Sequence, residues 1–240
     1  LAFLTVLAMF GKEIKTFPMI AQRSFAIVVP AHNEALVIEF TLRNLQAVDY
    51  PKDRFEVIVV ADNCEDRTAS IASECGATVL VRSNPDLRGK GYALRWCFDL
   101  ILAHQSRHDA VVVIDADSVV SANFLSVMNH YLESGARAVQ SRDLAEEGTL
   151  GWTVEMIRSS FLLYNYVRPL GRSVIGCSAG LKGNGMCFAT ETLATVPWQA
   201  FSLNEDLEYG LELLLRGIPV RFAPEATVYA IMPKQPGQAK

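Results

Sequence analysis

Asp109-Ala-Val-Val-Val-Ile-Asp-Ala-Asp-Ser118 is an uninterrupted apolar, mostly β-branched run that ends in two carboxylates. Val111 to Ile114 shows no polar alternation, the pattern of a strand buried on both faces of a parallel sheet. Asp115 and Asp117 then stand where the strand leaves the sheet, the edge at which open α/β folds bind ligands. Carboxylates at i and i+2 reach one polyphosphate site when the backbone turns between them, one holding Mg²⁺ or Mn²⁺ and the other a sugar hydroxyl. Asp-x-Asp alone is also ordinary loop and capping chemistry, so the flanking chain has to decide.

Upstream, Phe25-Ala-Ile-Val-Val-Pro30 reads as a short buried strand stopped by proline, followed by the polar turn Ala31-His-Asn-Glu34. Asn33 is expected to cap a helix starting there, with Glu34 in its first turn and Leu36, Phe40, Leu42 and Leu45 as its apolar stripe. Tyr50-Pro-Lys-Asp53 breaks that helix. Phe55 to Ala61 is a second buried strand, ending at Asp62 in a cluster of turn and capping residues that runs to Thr68. A helix through Cys75 and a strand Thr78 to Val81 follow. Strands alternating with helices through short links predict a mostly parallel sheet with right-handed crossovers. Asp62 therefore shares the carboxyl edge with Asp115 and Asp117. Between them, Asn84-Pro-Asp-Leu-Arg-Gly-Lys-Gly91 leads into a helix from Tyr92 to about Ala103. Glycines beside Lys90 at a helix start suit a phosphate, although a flexible turn with a solvated lysine has the same composition, and the spacing is not that of a P-loop.

Downstream, Asn123 to Glu133 reads as helix, Ala136 to Ser141 as strand, and Asp143 to Thr149 as polar chain without periodicity. Trp152 to Val167 has helical spacing and carries Phe161, Tyr164 and Tyr166, either an acceptor surface or core and membrane-facing packing. The glycine-dense Ser178 to Gly185, including Gly183, Asn184 and Gly185, suggests backbone passing close to a ligand, or a strained turn. Leu203 to Gly217 is a helix with Glu205, Asp206 and Glu208 in its first turn and a glycine past its end. Dipole complementation accounts for such acids, but with Asn204 as the cap, Asp206 and Glu205 are free for chemistry.

The whole chain has 240 residues, 50% of them hydrophobic, enough for one large domain with a sizeable core. A net charge of −4 argues against a broad nucleic-acid footprint. The five cysteines are widely spread with no Cys-x-x-Cys pair, which favours thiols in a reducing compartment. Leu1 to Phe10 is apolar but too short to span a bilayer. It reads as the cytoplasmic end of a transmembrane or interfacial helix, or as a helix packed on the domain. The expected division is an N-terminal segment 1–23, a catalytic domain 24–232 and a tail 233–240.

Taken in order, Val29-Pro-Ala-His-Asn-Glu34, Ala61-Asp-Asn-Cys-Glu-Asp-Arg-Thr68, Arg88-Gly-Lys-Gly91, Asp115-Ala-Asp117, Gly183-Asn-Gly185 and Asn204-Glu-Asp206 form a specific set. From Phe25 to Tyr229 the chain resembles the family 2 inverting glycosyltransferases, in particular the bacterial, membrane-associated branch that includes polysaccharide synthases. The resemblance implies one α/β domain of GT-A type, a mostly parallel central sheet flanked by helices that binds a nucleotide diphosphate sugar at its carboxyl edge. By the same resemblance, Pro30, Ala31 and Glu34 lie along the nucleoside and Asp62 accepts a hydrogen bond from the base, commonly uracil. Lys90 meets the diphosphate, Asp115 contacts the nucleoside sugar or donor, and Asp117 holds Mn²⁺ or Mg²⁺. Asp206, beside Glu205, corresponds to the general base, and Gly183, Asn184 and Gly185 fall where acceptor and donor sugar meet.

The implied reaction is metal-assisted single displacement from a UDP-sugar to a hydroxyl of a glycan, glycolipid or polyprenyl phosphate acceptor. Its implied place is the cytoplasmic face of the cell membrane, reached through flanking segments. A nucleotidyltransferase that makes sugar nucleotides would carry a glycine-rich basic signature where Pro30 to Glu34 stands, and a non-catalytic nucleotide-sugar-binding domain would not need Asp206 with the acidic pair. The Gln-x-x-Arg-Trp of processive synthases does not occur between Asp206 and Lys240, leaving processive and single transfer both open.

Overall fold

Val111 to Val113 lies at the middle of an eight-stranded sheet, completely shielded from solvent on both faces. The computed structural model describes residues 2–11, 22–103, 108–145 and 152–230; residues 1 and 12–21 of the expected N-terminal segment and all of the tail 233–240 lie outside them. The strands are β1 (Phe25–Ala31), β2 (Phe55–Asp62), β3 (Thr78–Arg82), β4 (Ala110–Val113), β5 (Ser118–Val120), β6 (Ala138–Ala145), β7 (Met186–Ala189) and β8 (Val220–Ala230). They are accompanied by helices α1 (Ala2–Ala8), α2 (Ile38–Gln46), α3 (Thr68–Glu74), α4 (Lys90–Ala103), α5 (Phe124–Glu133), α6 (Trp152–Leu162), α7 (Arg168–Val174), α8 (Thr190–Thr195) and α9 (Glu205–Leu215). The sheet order is β3-β2-β1-β4-β7-β6-β8-β5. The first four strands are mutually parallel, β6 is parallel to β8, and β7 and β5 run against their neighbours.

Alternate residues of the central strands feed opposite cores, as the two-residue period requires. Phe25, Ile27, Val29, Val112 and Ile114 pack with Ile38, Leu42 and Leu45 of α2 and Phe124 and Met128 of α5. Ala26, Val28, Val111 and Val113 pack with Leu94 and Phe98 of α4 and with Trp198, Tyr209 and Leu213. An aromatic cluster closes this second core: Trp198 and Tyr209 rings lie 4.5 Å apart, and Phe188 meets Tyr209 edge-on at 5.5 Å. The Tyr209 hydroxyl donates to the Val196 carbonyl at 2.7 Å, which fixes α9 against the sheet.

Several local expectations are corrected. β1 does not stop at Pro30 but continues to Ala31, paired with β2 along its whole length. Val28 accepts a hydrogen bond from Ile114 on the β4 side, so two residues on, Pro30 faces that same side. Pairing with β4 has already ended at Val28, so no ladder partner there needs the N–H that proline lacks. α2 starts at Ile38, because Asn33 takes a left-handed φ of 57° and spends its side chain on Glu65 instead of capping. Its buried face is Ile38, Thr41, Leu42 and Leu45, while Leu36 and Phe40 point to solvent. β6 extends past Ser141 to Ala145 through a register shift between Ser141 and Arg142, and β5 and β8 complete the sheet without having been read from sequence.

The Trp152–Val167 stretch is helical, with a π-helical turn at Leu163–Val167 joining α6 to α7. α1 packs on α7 so closely that a Cβ on Gly171 would meet the Leu4 carbonyl oxygen at 2.2 Å. Among the described residues no helix is long and apolar enough to cross a membrane. Trp198→Ala is expected to destabilise the fold by about 3–5 kcal/mol, since a large ring leaves a cavity the cluster cannot refill. Urea unfolding followed by far-UV circular dichroism measures it.

Candidate active site

After Val28 and Val113 part, β1 and β4 diverge and a cleft of about 370 Å³ opens at the carboxyl edge of the sheet. Pro30, Ala31, His32 and Glu34 line one wall with Asp62 and Asn63; Arg88, Gly89, Lys90 and Asp115 to Asp117 line the other. The first wall is held by side chains that replace missing backbone pairings. The Glu34 N–H donates to Thr68 Oγ1 at 2.8 Å, the Ala35 N–H to Asp66 Oδ2 at 3.0 Å, and the Glu65 N–H to Asn33 Oδ1 at 2.8 Å. His32 Nδ1 lies 2.8 Å from the Asp62 carbonyl, so this nitrogen carries the proton. Asp62 is buried and ion-paired with the equally buried Arg82, which also donates to the Leu87 carbonyl at 2.8 Å and so tethers the loop before Lys90.

On the second wall Lys90 begins α4. Its ammonium is paired with Asp115, donates to the Gly183 carbonyl at 2.6 Å and lies 4.0 Å from Glu205 Oε1. Burial alone would lower its pKa, but Asp115, with Glu205 and Asp206 behind it, outweighs burial and holds it above the usual lysine range. Asn184 joins this wall to the strands beyond: it accepts from the Asp115 N–H at 3.1 Å, donates to Ser118 Oγ at 2.9 Å, and its carbonyl accepts from Gln140 at 2.7 Å. Gly185, with φ of 70°, passes so near Ser141 that a Cβ would sit 1.9 Å from its hydroxyl oxygen. No other residue type fits there.

Asp206, in the first turn of α9, reaches the same point. A Cβ built on Gly183 would lie 3.7 Å from Asp206 Oδ2 and 3.8 Å from Lys90 Nζ, so the two groups flank one backbone position. Asp206 accepts no hydrogen bond from any described residue, leaving both oxygens available. Its neighbour Glu205 is buried, and desolvation raises its pKa against the pull of Lys90. Asn204 occupies the position before α9 but makes no capping hydrogen bond with its side chain.

Asp117 stands at the mouth of the cleft with only a 3.4 Å contact from the Ser118 hydroxyl. Crowding by the cleft walls, and then the charge of Asp115, raise its pKa. A cation there would relieve both effects, so its carboxylate fits a hard divalent ion. Among the described residues no group of three His, Cys, Asp or Glu side chains could hold a metal alone. The donor set therefore suits an ion that completes its shell with phosphate oxygens and water.

All the residues singled out in the sequence come to this edge: Pro30, Ala31, Glu34, Asp62, Lys90, Asp115 and Asp117 line the cleft, and Gly183, Asn184, Gly185, Glu205 and Asp206 gather beyond Lys90. Three participants went unread. Arg82 ends an otherwise apolar strand, a placement that is itself a signal of a buried partner. His32 gave none. Asp143 fell in the stretch read as aperiodic chain. It is buried on β6 with Oδ1 unpartnered, and its pKa is raised to about 7 by desolvation and then by Asp115 and Asp117, against Lys90. All five cysteines are free thiols.

A sequence profile described as "Glycosyltransferase like family 2" matches residues 22–240, and the chain belongs to that family of glycosyltransferases. The chain is 31% identical over 207 residues to the beta-monoglucosyldiacylglycerol synthase of Synechocystis sp., a match covering 79% of this chain and 40% of the relative. It spans about half or less of the length of that curated relative and of the probable glycosyltransferase YdaM of Bacillus subtilis, to which it is 28% identical. Among solved structures it superposes on the mannosyltransferase PcManGT of Pyrobaculum calidifontis, in complex with GDP-Man and Mn²⁺, with a TM-score of 0.72 at 18% identity, covering 97% of this chain and 64% of that one. It also superposes on the glucosyl-3-phosphoglycerate synthase of Mycobacterium tuberculosis, in complex with Mn²⁺, UDP and glucosyl-3-phosphoglycerate, with a TM-score of 0.56 at 25% identity over 88% of this chain and 71% of that one. The fold is the GT-A glycosyltransferase fold.

Asp143 supplies a pH test. With a folded-state pKa near 7 and an unfolded value of about 3.9, the folded chain binds the extra proton between those values, so stability falls as pH rises through that window. In chelator-containing buffer, Asp143→Asn is expected to raise the thermal midpoint at pH 8 and leave it nearly unchanged at pH 4. Equal shifts at both pH values would contradict the buried-acid account.

Proposed function

We propose that the chain is a metal-dependent inverting glycosyltransferase that moves a sugar from a UDP-sugar to a hydroxyl of a glycan, glycolipid or polyprenyl phosphate acceptor. One observation carries this reading: Asp206 and the Lys90–Asp115 pair meet at Gly183, so a free carboxylate faces the cation at the inner end of the cleft. A single displacement needs that arrangement, with the proton acceptor on the side of the attacking hydroxyl and positive charge on the side of the leaving diphosphate.

In this reading Pro30, Ala31 and Glu34 lie along the nucleoside, and Asp62, held by Arg82, presents its remaining oxygen to the base. Asp115 orients Lys90 and contacts the donor sugar or ribose. Asp117 holds Mn²⁺ or Mg²⁺, which when bound neutralises charge gathering on the diphosphate. Lys90 adds a fixed ammonium to that stabilisation, a preorganised contact of the kind worth about 3–4 kcal/mol of barrier. Asp206 takes the proton of the acceptor hydroxyl, and Glu205 sets the local charge around Lys90. Gly183 to Gly185 shape the point where donor sugar and acceptor meet. UDP as donor is supported by the complex of the mycobacterial synthase, the more similar of the two structures in sequence.

The catalytic domain in this reading is residues 24–232, and it works at the cytoplasmic face of the cell membrane. Apolar side chains exposed on α1, Phe3 and Val6, on the turn after it, Met9 and Phe10, and on α6, Trp152 and Met156, support a lipid-facing side.

Two experiments test the assignment. Asp206→Asn is expected to lower transfer at least about 10²-fold, read as UDP released from UDP-glucose or UDP-N-acetylglucosamine with a membrane lipid extract as acceptor, while leaving UDP affinity within about twofold. Full activity in that variant ends the role of Asp206 as base. By calorimetry, UDP is expected to bind with Mn²⁺ or Mg²⁺ and to lose about tenfold or more in affinity with chelator or in Asp117→Ala. Binding indifferent to both would remove Asp117 as the ligand.

A further inference from the structure

Beyond Gly183, on the Asp206 side, a group of cations surrounds Tyr164. The Lys182 ammonium lies 3.5 Å from the centre of its ring and the Arg168 guanidinium 5.6 Å from it. Arg172 donates to the Ala179 carbonyl at 3.3 Å and sits 3.6 Å from where a Cβ on Gly180 would be, against the loop that carries Lys182. None of the three pairs with a carboxylate of the described residues. We propose that Lys182, Arg168 and Arg172 form a binding site for a phosphate group carried by the acceptor, placed beside Asp206. The inference deepens the reading above and rests on it for the acceptor side.

The site is built rather than incidental. The Lys182 N–H donates to buried Gln140 Oε1 at 2.9 Å, so the backbone that launches the ammonium is fixed one residue from Gly183. Burial lowers the Lys182 pKa and the charge of Arg172 adds to it, against Tyr164 and, more weakly, Asp206. An anion between the cations would remove much of that penalty. Tyr164 stands on the π-helical turn, an irregularity that recurs at functional sites, and its ring is half exposed. Two guanidinium forks and an ammonium suit phosphate oxygens, which accept charge-assisted bonds from several directions. The donor diphosphate is already provided for: none of the three cations lines the cleft that holds Lys90 and Asp117.

The phosphate can belong to a lipid headgroup or to a soluble phosphate ester, and titrations of the whole chain saturated with UDP and Mn²⁺ separate the two. The probes are glycerol 3-phosphate, phosphatidylcholine vesicles containing phosphatidic acid, and phosphatidylcholine vesicles alone. Glycerol 3-phosphate or the phosphatidic acid vesicles are expected to bind, with affinity lowered about tenfold or more in Lys182→Gln and in Arg168→Gln. UDP affinity should stay unchanged in both variants, and the distant control Arg216→Gln should retain binding of the phosphate probe. The site is overturned if neither phosphate probe binds, if the variants bind it as the wild type does, or if Arg216→Gln weakens it equally. A parallel loss of UDP affinity would also overturn it, by placing the cations on the donor. UDP binding without phosphate binding defeats the anion site alone, and phosphate binding without UDP binding defeats the donor reading alone.

Discussion

The Lys90 ammonium joins parts of the chain that are far apart in sequence. It is paired with Asp115 at the end of the central strand, bonded to the Gly183 carbonyl before β7, and 4.0 Å from Glu205 on α9. A half-buried cation is costly unless its partners are in place, and each partner here belongs to a different element. The pair therefore acts as a geometric condition: α4, the central strand and α9 must all be positioned before the charge is satisfied. Removing Asp115 would leave Lys90 without its paired carboxylate, held by the Gly183 carbonyl and the more distant Glu205 and Asp206, and removing Lys90 would leave a cluster of acids with no cation between them.

The position of Asp206 depends in turn on apolar packing. The acid sits in the first turn of α9, and α9 is fixed one turn later by Tyr209, which packs on Trp198, meets Phe188 and donates to Val196. A carboxylate with no hydrogen-bond partner of its own has its place determined by its backbone, so the aromatic core does the work that a neighbouring side chain does elsewhere. The polar network through Asn184 has the complementary task of holding Gly183 to Gly185 at the right distance, with the Asn184 side chain bonded on both its oxygen and its nitrogen.

The central sheet was legible because its strands are apolar on both faces and each ends in a burst of polar residues. The same contrast marked Asp62, Asp115 and Asp117 as lying at one edge. What escaped depended on long-range pairing. Nothing local reveals that β6 continues through Arg142 and Asp143, because the strand is stabilised by β8, some eighty residues later. Asn33 had the composition of a cap but is held in a left-handed conformation by the loop after β2. Leu36 and Phe40 fit a helical stripe, yet the helix starts too late and turns them outward. Most site residues carried by a motif were found; those recruited by the fold, such as Arg82 and Asp143, were not.

Pro30 gives the cleft a further property. Where β1 and β4 separate, the sheet has an internal edge, and such an edge ordinarily invites an extended peptide to add itself as a strand. Pro30 offers no N–H on that side, so the gap cannot be zipped by backbone pairing. It stays open to a compact, side-chain-recognised guest and closed to a passing polypeptide.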